Sequence, residues 1–213
     1  MALPKTTDGF FPAIGGKAYL GEADTENQVT VASGNYFKSN NLWVPVSNSN
    51  PMPILGCGST VSASFTRPSN TTAYDAGDVV GQNPGANMVF ENVLSNPGGT
   101  FMIMGARLSI PVAAVPSGMS TFRLHLYNSA STAIADNTAY NLPAVDRVNY
   151  LGFITLSTPI DLGETLWSQD DNIRFTGKLA ASSTTLYGIL QTVSGFTPTS
   201  ATVKTITLNV AGV

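Results

Sequence analysis

From residue 58 onward the chain alternates apolar and polar side chains. Between Ser59 and Thr66, Val61, Ala63 and Phe65 point one way, and Thr60, Ser62, Ser64 and Thr66 the other. A two-residue period is that of a half-buried strand. Ser120–Tyr127 repeats the pattern, with Phe122, Leu124 and Leu126 facing a core and Arg123, His125 and Tyr127 sharing the opposite face. Further strands are predicted at Asp78–Gly81, Met88–Val93, Thr100–Val112 (broken near Gly105), Tyr150–Leu156, Thr184–Val193 and Ala201–Val210. In the last of these, Val203, Thr205, Thr207 and Asn209 oppose Lys204, Ile206, Leu208 and Val210. Leu166–Phe175 reads as a strand interrupted at Ser168–Asp171, and Asn128–Asn137 as a loop with a helical turn.

Turn chemistry separates these segments, as in Arg67-Pro68-Ser69-Asn70, Asn83-Pro84-Gly85 and Ser95-Asn96-Pro97-Gly98-Gly99. Many short strands without a long amphipathic helix or an internal repeat predict an all-β protein. The expected fold is an antiparallel β-sandwich of jelly-roll type with an extended N-terminal arm. Some strands are apolar on both faces, which suits a sandwich whose outer face also meets a neighbour.

Residues 1–57 differ. Turn-rich pieces such as Ser47-Asn48-Ser49-Asn50-Pro51-Met52-Pro53 surround short extended segments, Gln28–Val31 and Leu42–Val46, with Trp43 as an apolar anchor. This region reads either as an extended arm or as a small β-subdomain, ahead of a sandwich domain spanning 58–213. No apolar stretch follows Met1-Ala2-Leu3-Pro4-Lys5, so the expectation is a chain without a secretory signal, made in the cytoplasm. No apolar run approaches the roughly 18 residues of a membrane span.

Composition narrows the chemistry. Hydrophobic residues make up 43% of the 213, enough for a core, but charged residues only 11%. The usual charged share is about 25%, so Ser, Thr, Asn and Gly must cover the surface. Such a surface suits a member of a large assembly or a protein that works outside the cell. With a net charge of −3 and no basic run, nucleic-acid binding lacks its driving force.

There is one histidine, His125, and one cysteine, Cys57. That pair cannot supply a tetrahedral N/S metal set, and no Gly-x-Ser-x-Gly elbow accompanies His125. Cys57 reads as a small filler, and Asn70-Thr71-Thr72 as a turn. Carboxylates for glycoside chemistry would have to come from Asp170 and Asp171, or Asp161 and Glu164, converging with Asp136 or Asp146, and adjacent strand residues point to opposite faces. Asp170, Asp171 and Asn172 offer oxygen ligands for calcium, but without EF-hand spacing they read as a solvated turn. No catalytic residue, cofactor or metal is therefore expected. Among the arginines, Arg67, Arg123 and Arg147 are expected at packed surfaces, with Asp136 and Asp146 as acids for Arg123 and Arg147.

Four ordered segments carry a family resemblance: Thr66–Gly81, Phe122–Asn128, Asp146–Gly152 and Thr184–Thr192. Together they resemble segments of tailed-bacteriophage virion proteins, and the likeness extends over about residues 58–213. The resemblance implies a particle component without catalytic residues. It is most similar to a capsid decoration, or cement, protein that binds the major capsid protein as a homo-oligomer, a trimer or dimer, on the capsid surface. A tail, baseplate or fibre protein that attaches to a host surface is the alternative. Neither role needs nucleic acid or membrane. The residues expected at an interface are Trp43, Arg67, Arg123, His125, Tyr127 and Arg147.

Overall fold

The computed structural model describes residues 58–213 and, as backbone only, four strands before them: β1 (Phe10–Ile14), β2 (Lys17–Leu20), β3 (Tyr36–Ser39) and β4 (Leu42–Pro45). The chain divides into two units, Met1–Ile54 and Leu55–Val213. In the first, β1 pairs antiparallel with β2, and β3 with β4. Trp43 lies on β4 in register with Lys38. The expected strand at Gln28–Val31 and Cys57 lie outside the described residues, as does most of what would separate an arm from a subdomain.

The second unit is an antiparallel β-sandwich. Its strands are β5 (Gly58–Thr66), β6 (Met88–Phe90), β7 (Thr100–Ile110), β8 (Phe122–Tyr127), β9 (Tyr150–Leu156), β10 (Ile160–Asp161), β11 (Leu166–Asp170), β12 (Phe175–Lys178), β13 (Leu186–Thr192) and β14 (Val203–Gly212). One sheet runs β10-β11-β7-β14-β5, with β12 also on β7, and the other β6-β13-β8-β9. Among the described residues the helical content is one short 3-10 turn, Ala144–Asp146, and no helix is long and apolar enough to cross a membrane.

Alternation explains the packing. Val61, Ala63 and Phe65 of β5 and Ile206, Leu208 and Val210 of β14 are buried, and meet Phe122, Leu124, Leu126, Ile154, Leu156 and Leu190 of the facing sheet in one core. Each fully buried Leu or Phe stabilises the fold by about 1.5–3 kcal/mol. On the outer face of the first sheet, hydroxyls pair across strands: Ser62 with Thr207 and Ser64 with Thr205, both at 2.8 Å. Such pairs contribute about 0.2–1 kcal/mol each and pin the register of β5 on β14.

Three expectations need correction. Asp78–Gly81 forms isolated bridges, Asp78 to Ala139 and Val79 to Gln191, instead of a full strand: it runs beside β13, with the Val80 amide donating to the Leu190 carbonyl and the Val79 amide to the Thr138 carbonyl. Ser168–Asp170 does not interrupt its strand. Ser168 is buried beside the core while Trp167 and Gln169 point outward, so polar residues continue the alternation, and the break falls between β11 and β12. The apolar outer face of the second sheet meets the chain's own loops. Val79, Tyr127 and Ile189 form a second cluster there, with Ile134, Tyr140, Leu142, Tyr150 and Tyr187 packed against it.

Candidate functional site

The cover over the second sheet gathers three of the residues expected at an interface, and buries them. Arg67 follows β5 and is 1% exposed. Its Nε donates to the Tyr74 hydroxyl at 2.7 Å, Nη1 to the Asn70 carbonyl at 2.6 Å, and Nη2 to Asn70 Oδ1 at 2.9 Å and Asp136 Oδ2 at 3.2 Å. Asp136 Oδ1 accepts from the Tyr74 hydroxyl at 2.5 Å and from the Gly81 amide at 3.0 Å. The guanidinium thus ties the end of β5 to the covering loop that carries Asp136. Burial, and then the adjacent Asp136 carboxylate, push the Tyr74 hydroxyl well above its ordinary range.

Lys204 lies in the same region, 1% exposed, on the apolar side of β14. Its Nζ donates to Thr202 Oγ1 at 3.0 Å. Burial first, and then the Arg67 charge, lower its pKa to about 8, against the opposing pull of Asp136.

His125 sits mid-strand on β8, stacked on the Tyr140 ring with centroids 3.7 Å apart. Its Nδ1 lies 3.0 Å from the Tyr150 hydroxyl and its Nε2 3.0 Å from Gln191 Oε1. The Gln191 amide nitrogen donates to the Gly77 carbonyl at 2.9 Å, so its oxygen faces the imidazole. Nε2 therefore carries the proton and Nδ1 accepts from Tyr150, which is the neutral ring. Burial holds its pKa below the usual histidine value, and nearby Arg123 reinforces this against the Gln191 hydrogen bond. Tyr127 is fully buried, with its hydroxyl 2.7 Å from that of Tyr140. Both ring nitrogens of His125 thus have partners within the chain.

The other expected residues lie apart. Arg123 is exposed, with its guanidinium carbon 5.1 Å from the Phe153 ring centroid. Arg147 is exposed beyond the 3-10 turn, while its neighbour Asp146 is buried and accepts from the Thr132 amide at 2.9 Å. Asp136 pairs with Arg67, not with Arg123 or Arg147, because the covering loop brings it to the end of β5. Trp43 lies in the first unit, where only backbone is described. Asp170 accepts from the Ser157 amide at 2.8 Å and from the Ser157 hydroxyl, which ties the end of β11 to the residue after β9, and Asp161 accepts from the Gly163 amide at 2.7 Å within a turn. Among the described residues no three His, Cys, Asp or Glu side chains converge on a common point.

One concavity escaped sequence reasoning. On the outer face of the first sheet, a depression of ≈ 280 Å³ is lined by Thr60, Met104, Gly105, Asp171 and Asn209, among others. Its residues are far apart in sequence, and the one signal along the chain is Gly105 inside a strong strand pattern, which marks a bulge or a close approach.

Searches of family models and of curated proteins find no match. Among solved structures, the K3 cleaved adhesin domain of Lys-gingipain from Porphyromonas gingivalis w83 is similar at 14% identity and a TM-score of 0.26. That match covers 60% of this chain and 63% of the domain, so the chain spans less than two thirds of its length.

Proposed function

We propose that the protein is a structural component of a tailed-phage particle, a cement protein that binds the outer capsid surface as a homo-oligomer and bridges neighbouring major capsid subunits. The observation that carries this reading is where the four phage-like segments lie. Phe122–Asn128 and Thr184–Thr192 supply β8 and β13, Asp146–Gly152 leads into β9, and Thr66–Gly81 runs beside β13, where Gly77 and Val80 donate to the Thr192 and Leu190 carbonyls. They build one covered layer. Its polar groups, Arg67, Tyr74, His125, Asp136 and Gln191, bond to one another or to nearby backbone. Side chains paired in this way make a rigid plate, which is what a bridging protein needs.

The remaining surface also fits contact with neighbours. Val145, Val148, Ile160 and Leu162 are all more than half exposed, in a chain with few charges to repel a partner. Many modest interfaces repeated by symmetry add up to a strong restraint on the shell.

The test is cosedimentation of the purified chain with expanded capsids that lack it, followed by heating. Binding with a higher disruption temperature supports the proposal. Binding only to tails or to cells refutes it and favours the attachment role. Removal of residues 1–57 should weaken capsid binding if that region reaches across subunits.

A further inference from the structure

The sandwich protects its sheet edges, with one exception. An unpaired edge strand invites another chain to pair with it, and short strands, bulges, proline or lysine deter that pairing. Strand β6 is three residues long, and β10 is two residues long, just after Pro159. Strand β12 has four residues and ends on Lys178. Strand β9 is bulged, with a register shift against β8 between Leu126 and Tyr127 and with Gly152 at φ 123°. Strand β5 has none of these devices. It runs nine residues in unbroken register with β14, from Gly58 to Thr66, and carries no proline and no charge. Among the described residues no strand pairs with its other side.

The ladder on β14 shows which backbone groups face that open side. The Arg67 amide donates to the Thr202 carbonyl at 3.1 Å, one step past the Thr66–Val203 pair. Hydrogen-bonded and non-bonded pairs alternate along an antiparallel ladder, so Phe65, Ala63 and Val61 bond to β14. Thr60, Ser62, Ser64 and Thr66 then turn their N–H and C=O groups toward the open edge. Among the described residues none of these groups has a backbone partner. The core is also thinly covered here. Val61, Ala63 and Phe65 are 7%, 7% and 6% exposed, whereas Ile206, Leu208 and Val210 of the neighbouring strand are 0% exposed.

The sequence of this edge is self-complementary. Around Ala63 it reads Thr60-Val61-Ser62-Ala63-Ser64-Phe65-Thr66, the same residue classes in both directions. We propose that β5 pairs antiparallel with β5 of a second copy, about a two-fold axis at Ala63, and joins two sandwiches through one continuous sheet. A two-fold contact requires that residue i meet j and that j meet i. This register sets Ser62 opposite Ser64 and Thr60 opposite Thr66 of the second copy, and it gives every open N–H and C=O named above a partner. The outward hydroxyls carry the ladder of Ser62–Thr207 and Ser64–Thr205 across the axis. On the core side Val61 faces Phe65, a β-branched and aromatic pair of a favoured kind, with the small Ala63 side chains between them at the axis. A slip of one residue would turn the core side of the second copy to solvent. The pairing supplies a contact for the homo-oligomer of the capsid reading, but it does not rest on that reading, because it needs β5 alone.

The experiment is sedimentation equilibrium of the full chain, with amide hydrogen exchange on the same samples. Wild type should form a dimer in which the Thr60, Ser62, Ser64 and Thr66 amides exchange slowly. Ser62→Lys/Ser64→Lys changes two exposed positions and sets lysine opposite lysine across the axis. It should weaken the dimer about tenfold or more and free those amides. Ser62→Lys/Ser64→Glu sets lysine opposite glutamate in the same register and should restore the dimer. Thr158→Lys, beside β10 at the opposite edge of the sheet, should leave the dimer unchanged. A trimer, a dimer indifferent to both double variants, or a Lys/Glu variant no better than the Lys/Lys variant overturns the proposal. So does a monomer, and slow amides within that monomer would assign the edge to another part of the same chain. Capsid cosedimentation keeps the two readings apart: a dimer that binds no capsid upholds the pairing and refutes the cement role, and a monomer that binds capsids does the reverse.

Discussion

Lys204→Met tests the energetics of the buried end of the sandwich. Lys204 extends the inward row of Ile206, Leu208 and Val210 and is 1% exposed, with the Thr202 hydroxyl as its hydrogen-bond partner. Its pKa falls from 10.5 to about 8 on folding, which at about 1.36 kcal/mol per pH unit means the buried charge costs about 3 kcal/mol at neutral pH. In the window from about pH 8 to 10.5 the unfolded chain holds more protons than the folded one, so stability rises with pH. About 2 kcal/mol of the return falls between roughly pH 8 and 9.5. Higher pH brings an opposing trend. Burial pushes Tyr150 up to about 12, and the unfolded chain then releases tyrosine protons first. Methionine has nearly the same shape and no charge, so at pH 7 the variant should be more stable by about 1–3 kcal/mol, after loss of the Thr202 hydrogen bond. The assay is urea unfolding of wild type and variant at pH 7 and 9.5. A stability gap that is the same at both pH values refutes the account.

Asp136→Asn should cost about 3–5 kcal/mol in urea unfolding, because Arg67 is left buried without an anion; the double variant Arg67→Met/Asp136→Asn should recover part of it. His125 has a lowered pKa when folded, so below about pH 6.5 the unfolded chain takes up a proton first and stability is lost as the pH is lowered. His125→Gln should flatten that slope between about pH 7 and 5, since the chain has no other histidine. Gly85→Ala should destabilise the cover by about 1–3 kcal/mol, measured by thermal unfolding, because the added Cβ meets the Ile134 carbonyl carbon at 2.5 Å and backbone cannot yield as a side chain does.

Local alternation made β5, β8 and β14 legible, since Val61-Ala63-Phe65 and Phe122-Leu124-Leu126 need no distant information to choose a face. The second core was not legible. Its cover uses Val79, Ile134, Tyr140 and Leu142, scattered among turn residues, so nothing along the chain says that a loop lies flat on a sheet. The same blindness moved His125 and Tyr127 to an imagined outer surface. Arg67 and Lys204 look like surface cations in any local window, and only the approach of the loop bearing Asp136 gives the guanidinium a reason to be buried. Polar residues misled at Ser168-Gln169-Asp170, where a turn signal in composition was an alternating strand in geometry. The depression needed Asp171 and Asn209 side by side across β7, a juxtaposition set by the bulge and by long-range register.

Few charges first suggest a passive molecule, but the two sheets use their polar groups in opposite ways. In the covered sheet, each named polar group is held by another from the same chain, and the result is internal rigidity. On the open sheet, hydroxyl pairs such as Ser62–Thr207 and Ser64–Thr205 satisfy each other beside solvent, and keep a wide face neutral without mobile lysines or glutamates. A neutral face costs little to desolvate compared with a charged one, and it repels no partner over the roughly 8 Å reach of charges at physiological salt. The two sheets thus divide their polar groups by one physical rule: mutual pairing of buried groups where the fold needs stiffness, and mutual pairing of hydroxyls beside solvent where a face stays neutral.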